Sequence, residues 1–264
     1  MQALLATFSS VKSFSKRIMP IRLRTTFLMH LQSLKRHPKP VGNKLDRIKS
    51  LRRLKVPIEA VVDIGVQTAT HELIEAIPDK PHFLFEPVPT WYQAIKENYR
   101  CMKHTLYPIA LSNQSGFTWL IQSSMHGDGQ VTHASISNAR LTPDNQRIVS
   151  CDQINVDRLD SFSADFPANY LLKIDVDGQE LNVLEGASGC IDKASIIIIE
   201  ADYSSVSHRA LFVEGFGFQL IDIIDRGMYG EVLWQCDLVF IRNDLMNESL
   251  RPPMFDRQHW HPIP

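Results

Sequence analysis

Val61-Val62-Asp63-Ile64-Gly65-Val66-Gln67-Thr68-Ala69-Thr70 and, a little further on, Phe83-Leu84-Phe85-Glu86-Pro87 are the two stretches that decide how this chain folds. The first is an apolar run that ends in an acid and a glycine turn. The second is an apolar run that ends in a glutamate, and a helical segment fits between them. Strand, tight turn, helix, strand is the opening of a doubly wound α/β domain, whose ligands bind outside the carboxyl ends of the parallel strands. A glycine turn lets backbone N–H groups come close to a ligand. A carboxylate ending the second strand can accept both hydroxyl protons of a ribose, so the pair points to an adenosine-containing cofactor with free 2′ and 3′ hydroxyls.

Neither half of this signal is decisive alone. Asp63-Ile64-Gly65 can simply end a strand, and Glu86 can cap the helix that Pro87 and Pro89 begin. Together they leave two cofactor classes. A dinucleotide fingerprint G-x-G-x-x-G needs two more glycines than the single Gly65 present, which leaves no backbone cradle for a pyrophosphate. An NAD-dependent oxidoreductase is therefore the weaker reading, and a phosphate-free cofactor, S-adenosylmethionine, the stronger.

Working outward, the chain repeats strand, turn and helix from residue 60. Strands are expected at 60–64, 82–86, 104–111, 170–175, 195–201, 218–224 and 232–241, with helices at 70–77, 89–102, 157–165, 179–188 and 208–215 between them. Residues 117–122 and 147–156 alternate apolar and polar as accessory strands do. The polar stretch 123–146 reads as a mobile loop over the site. The last strand follows a short hairpin around Gly227 and Gly230, so it must run antiparallel to its predecessor. The expected fold is α/β, a mostly parallel seven-stranded sheet with one antiparallel strand at its end. That layout belongs to class I methyltransferases, which are Rossmann-like, rather than to NAD dehydrogenases.

Lys173-Ile174-Asp175-Val176-Asp177-Gly178-Gln179-Glu180 is the second strong signal, with three carboxylates within six residues at the end of the fourth core strand. Asp175 is placed to take a proton from an acceptor hydroxyl or to hold a charged part of the donor, and Glu180 is the other candidate acid–base group. The competing reading gives Asp177 to the cap of the next helix and Glu180 to its dipole. A divalent ion could also gather these carboxylates, although the spacing lacks the regular calcium-loop pattern. Ser112, after the third strand, either meets an adenine or caps a turn. Glu200, at the end of the fifth strand, touches an acceptor or is salt-bridged. His126 and His133 are candidate bases, or merely exposed.

The chain has 264 residues, 44% of them hydrophobic and 22% charged, and a formal net charge of −1. Residues 1–55 carry 14 Lys or Arg and one acid, Asp46, which leaves 14 basic and 28 acidic residues for the remainder. The expected organisation is a basic helical extension with its linker over 1–55, a cofactor-binding domain over 56–245 and an extended Pro-rich tail over 246–264. The basic extension reads as an arm lying on the acidic body, a peripheral contact with an anionic membrane or acidic partner, or a transit segment. Interleaved aromatics are too few for nucleic-acid binding. No apolar run approaches the ~20 residues that span a bilayer. Cys101, Cys151, Cys190 and Cys236 are far apart and form no CxxC pair, which fits reduced thiols and a cytoplasmic protein.

Several of these motifs together resemble the FkbM family of S-adenosylmethionine-dependent methyltransferases. They are D-x-G at Asp63 to Gly65, F-E-P at Phe85 to Pro87, A-L-S at Ala110 to Ser112, Leu159-Asp160, K-I-D-V-x-G-x-E at Lys173 to Glu180, and Leu184-x-Gly186-Ala187. The resemblance runs from about Val61 to Ile241 and implies O-methylation of a sugar, glycan or small natural-product hydroxyl. It implies cofactor contacts at Asp63, Gly65, Glu86, Ser112 and Asp175, and Gln67 in the same turn is a further candidate for cofactor binding. The family's turn usually reads D-x-G-A-N-x-G; here Gln67 replaces its asparagine and Ala69 its second glycine, and Asp177 replaces the glutamate of D-V-E-G. A Cβ at position 69 would crowd the donor's methionine end, or cost ~1 kcal/mol if φ is positive there. These departures motivate an alternative, a non-catalytic relative that keeps the fold as a partner-binding module. The residues do not fix the oligomeric state.

Overall fold

The computed structural model describes residues 42–143 and 147–251. Readings that fall on residues 1–41, the helical spacing of the basic arm among them, and on the end of the tail lie outside these. Seven strands form the central sheet: β1 (Ala60–Ile64), β2 (His82–Phe85), β3 (His104–Tyr107), β8 (Tyr170–Ile174), β9 (Ala194–Asp202), β10 (Phe218–Tyr229) and β11 (Val232–Arg242). Their order across the sheet is β10-β11-β9-β8-β1-β2-β3. The pairs β1–β2, β1–β8, β2–β3 and β8–β9 are parallel, whereas β11 is antiparallel to both neighbours. This is the class I methyltransferase sheet expected from the sequence, with one correction: the reversed strand is not at the end. β11 lies between β9 and β10, because Leu238-Val239-Phe240-Ile241 is buried on both faces and cannot occupy an edge.

The alternation of side chains along the strands divides the core in two. Val62, Ile64, Leu172, Ile174, Ile197 and Ile199 face one layer, where they meet α4 (Glu180–Gly186) through Val183 and Leu184. Val61, Leu171, Ile196 and Ile198 face the other, where they meet Ile48 and Leu51 of α1 (Lys44–Arg53) and Leu73 of α2 (His71–Ala76). Helices therefore cover both faces, as parallel strands without a polar face require. α3 (Tyr92–Asn98) follows a 3-10 turn at Pro89–Trp91, and α5 (Val206–Glu214) links β9 to β10.

α1 belongs to this body rather than to an extension. Ile48 and Leu51 are fully buried, and the compact unit begins at Gly42 instead of residue 56. Four of its five basic residues lie on the acidic body as pairs: Lys44 with Asp237 (2.8 Å), Arg47 with Asp222, Lys49 with Glu75 (2.5 Å) and Arg52 with Asp79 (2.8 Å).

Three further expectations change. The strand expected over 104–111 breaks at Pro108, which has no N–H to donate; the Ile109 N–H turns back onto the Tyr107 carbonyl at 2.9 Å. Ala110–Leu111 becomes β4 of a second sheet, ordered β4-β7-β5-β6, with β5 (Gly116–Ser123), β6 (His133–Ser137) and β7 (Ile148–Asp157). β6 falls within the stretch expected to be a mobile loop and pairs antiparallel with β5. The helix expected over 157–165 is a 3-10 turn, Leu159–Phe162. No helix among the described residues is long and apolar enough to cross a membrane, and the four cysteines are free.

Candidate active site

The turn after β1 fits tightly against the end of β8. Gly65 has φ of +80°, and a Cβ on it would stand 1.8 Å from the Asp175 carbonyl oxygen. Glycine is required there twice over, by conformation and by space. The Gly65 N–H donates to the Phe85 carbonyl (3.0 Å) and the Asp175 N–H to the Ile64 carbonyl (3.1 Å), so the ends of β1, β2 and β8 are tied into one edge. Ala69 carries no left-handed strain. That conformation falls on Gln67, at φ of +53°, where a glutamine is less at ease than an asparagine.

The strained residue is held by Glu86. Its Oε2 accepts the Gln67 N–H and its Oε1 the Val88 N–H, each at 2.8 Å, and the side chain is 1% exposed. Burial raises the Glu86 carboxyl to about 7, against the two N–H donors and the Lys173 charge, which pull it down. Glu86 forms the polar floor of a narrow crevice walled by Phe85, Trp91, Ile109 and Leu111 and roofed by Ala134, Ser135 and Ile136 of β6. The walls leave about 60 Å³ for the centres of water-sized occupants and are otherwise largely apolar. Gly65, Gln67 and Asp175 line its inner end.

Asp63 does not reach this crevice. It is fully buried beneath the turn, 3.4 Å from the Lys173 ammonium and 3.5 Å from the Tyr99 hydroxyl. Lys173 is the hub: its Nζ donates to the Gly65 carbonyl at 2.8 Å and lies 3.4 Å from Asp175. Burial alone would push its ammonium down, but Asp63 and Asp175 outweigh it and hold Lys173 charged. Asp63 thus acts on the turn through Lys173, a correction to its expected cofactor contact.

Asp175 does line the crevice, and its side chain is 37% exposed. Burial raises its carboxyl, but Lys173, a hydrogen bond with Glu200 and the Lys44 charge outweigh burial and hold it below the usual carboxylate range. Glu200 moves the other way: burial, then the shared hydrogen bond and the Asp175 charge, raise it. At neutral pH the pair is a Glu200 carboxyl against an Asp175 carboxylate.

Glu180 is withdrawn from the chemistry. It is 1% exposed, its Oε1 accepts the Val176 and Gly178 N–H groups (3.3 and 3.1 Å), and its Oε2 lies 2.7 Å from Arg209 of α5. It clamps the Asp177-Gly178 turn, whose two residues are both left-handed. Ser112 is also displaced, because the break at Pro108 turns it into a neighbouring polar hollow with Asn113 and Gln179. Its carbonyl oxygen lies 2.0 Å from where a Cβ on Gly186 would be, which accounts for the glycine in Leu184-x-Gly186. His133 sits on β6 with Nδ1 3.1 Å from the Thr132 hydroxyl. His126 is exposed. Among the described residues, no group of three or more His, Cys, Asp or Glu is placed to hold a metal ion.

Lys173 and Arg209 are the functional side chains that the motifs alone do not assign a role. Both carried a signal, since a cation inside Tyr170-Leu171-Leu172-Lys173-Ile174 or on the buried face of α5 needs a carboxylate partner.

The crevice has features that a phosphate-free adenosyl group requires: apolar walls for a flat base, a buried carboxylate for the ribose hydroxyls, and a glycine turn without a pyrophosphate cradle. The methyltransferase FkbM domain matches residues 65–220. Hexuronic acid methyltransferase AglP of Haloferax volcanii is 28% identical over 140 residues, 52% of this chain and 54% of that protein, so the chain spans about half the length of this relative. Among solved structures, a precorrin-6y C5,15-methyltransferase from Geobacter metallireducens superposes with a TM-score of 0.38 at 11% identity, covering 75% of this chain and 88% of that one. A putative tRNA (m1A22) methyltransferase of Streptococcus pneumoniae, in complex with S-adenosyl-L-methionine, gives 0.40 at 14% identity over 75% and 72%. With the family's domain matched over more than half its length, this chain belongs to the FkbM methyltransferases.

Proposed function

We propose that this protein transfers a methyl group from S-adenosylmethionine to a hydroxyl of a sugar or glycan, or of a small hydroxylated metabolite. The observation that carries the reading is Glu86, a buried carboxylate at the end of β2 on the floor of an apolar crevice beside the Gly65 turn. Glu86 accepts the ribose hydroxyls, the apolar walls take the adenine, and Gly65 and Asp175 meet the sulfonium end. The bound donor supplies an electrophilic methyl. Asp175, held ionised by Lys173, is a weak base but a durable counter-charge for a sulfonium. Its contribution is to hold and orient, and most of the rate gain comes from bringing acceptor oxygen and methyl together.

The match to a hexuronic acid methyltransferase supports a sugar acceptor. The test is to incubate the protein with labelled S-adenosylmethionine and a panel of glycosides, uronic acids included. A sugar product heavier by one CH₂ is expected. Cofactor binding without transfer to any hydroxylated acceptor would instead favour the binding-module reading, in which the fold serves a partner.

Ligand binding through Glu86 has a definite pH sign. The ribose hydroxyls need the ionised carboxylate, and Glu86 titrates near 7 in the free protein. Affinity for S-adenosylhomocysteine, the demethylated product, is expected to weaken as pH falls below about 7, by up to about tenfold per unit, and to level off above it. The contribution of Glu86 to stability runs oppositely: it is fully present below the ordinary value of 4.5 and is lost as pH rises through about 7. Calorimetric titrations from pH 5.5 to 8.5 on wild type and Glu86→Gln check this; an equally steep profile in the variant would assign the slope to another group.

A further inference from the structure

Gly65, Gln67 and Asp175 line two hollows, not one. On the far side of the turn from the apolar crevice lies a second, open hollow with about 160 Å³ for the centres of water-sized occupants, bounded also by Lys44, Thr70 and Lys173, with an almost wholly polar lining. A molecule long enough to fill the crevice and cross Gly65 must place its other end there.

The charges of this second space are arranged for a zwitterion. Asp175, open to both hollows, is an anion on one wall. Two ammonium groups face it, and they are not equivalent. Lys173 donates its Nζ to the Gly65 carbonyl (2.8 Å) and lies between two carboxylates, 3.4 Å from an oxygen of Asp63 and 3.4 Å from one of Asp175. Lys44, the first residue of α1, pairs with Asp237 at 2.8 Å, which uses one of its three donors. Its side chain is 11% exposed and opens on the hollow. Asp225, whose carboxylate accepts the Lys44 backbone N–H at 3.2 Å, and Glu72 complete the surrounding acids. The excess of negative charge suits a ligand end that carries an ammonium as well as a carboxylate.

We propose that Lys44 binds the α-carboxylate of the donor's amino-acid end, with Asp175 facing its ammonium. This rests on the S-adenosylmethionine reading and extends it to a residue outside the segment 65–220 that matches the family. α1 is then part of the site: its buried Ile48 and Leu51 anchor the helix, and its first residue closes the polar hollow.

Two ligands separate the ends of the molecule. S-adenosylhomocysteine carries the amino-acid end; 5′-methylthioadenosine has the same adenosyl thioether without it. In calorimetry on the full chain, Lys44→Met is expected to weaken S-adenosylhomocysteine about tenfold or more and to leave 5′-methylthioadenosine unchanged, while Lys44→Arg retains most of the affinity. Because Lys44→Met strands Asp237, the double variant Lys44→Met/Asp237→Asn is measured alongside; it should recover stability but not affinity. Unchanged S-adenosylhomocysteine binding in Lys44→Met, or equal loss for both ligands, overturns the assignment. If the wild type binds neither ligand, the cofactor reading itself fails, an outcome distinct from failure of Lys44 alone.

Discussion

Gly65→Ala is expected to abolish detectable cofactor binding and to lower stability by roughly 2–5 kcal/mol. The left-handed conformation costs a non-glycine residue about 1–2 kcal/mol, and forcing a methyl group into a filled space costs about 1–3 kcal/mol more. The space is filled by backbone: a Cβ on Gly65 would lie 1.8 Å from the Asp175 carbonyl oxygen, and no rotamer change relieves that. The strand ends must part, and they carry Asp175, the Gln67 N–H and the carbonyl that holds Lys173. Gly178→Ala is the internal control. Gly178 is also left-handed, at φ of +95°, but nothing lies within 4 Å of its Cβ position, so it should show only the conformational cost of about 1–2 kcal/mol. Thermal and denaturant unfolding of the two variants, with S-adenosylhomocysteine titrations, would read the difference. Equal destabilisation would mean that the close approach to Asp175 relaxes freely.

Glu86→Ala should weaken S-adenosylmethionine and its demethylated product by about 1–3 kcal/mol, because the ribose hydroxyls lose a charge-assisted partner. Glu86 has a second duty that predicts where the loss appears. Its two oxygens fix the N–H groups of Gln67 and Val88, so truncation also frees the left-handed Gln67 to leave its conformation. Glu86→Gln keeps an acceptor oxygen, places an amide NH₂ against one of those N–H groups, and should fall between wild type and alanine. Calorimetric titration of both variants measures this. Unchanged affinity in Glu86→Ala would remove the ribose role and, with it, the argument for an adenosyl ligand in this crevice.

The central strands were legible because burial on both faces leaves a plain mark. Val61-Val62 and Ser195-Ile196-Ile197-Ile198-Ile199 read as strands and are strands. The turn around Gly65 and the carboxylate at Glu86 were legible for a related reason: a polar residue ending a buried strand must emerge at an edge. What failed was of two kinds. Periodicity does not say which strand lies beside which, so the antiparallel β11 was expected at the end and lies one place inward. Nor does a list of carboxylates say where each one points. Asp63, Asp175 and Glu180 look interchangeable in sequence, but a lysine buries the first, the second opens on the crevice, and Arg209 takes the third. Lys44 is not legible in the sequence because it sits in a basic segment that reads as an appendage, while its meaning depends on Asp237, far away in the chain.

The place of β11 also dictates a timetable. β9 hydrogen-bonds β8 on one side and β11 on the other, with Ile196 to Ile199 registered against Leu238 to Ile241. β11 ends at Arg242, so during synthesis this isoleucine ladder waits, one flank bare, until nearly the whole described chain has left the ribosome. β10 is made earlier but cannot dock on β9, since its own neighbour in the finished sheet is the latecomer. A nascent chain of this protein therefore carries an open, strongly apolar strand border while the 40 residues from Tyr203 to Arg242 are added, which is the kind of surface that chaperones shield and through which unfinished chains aggregate.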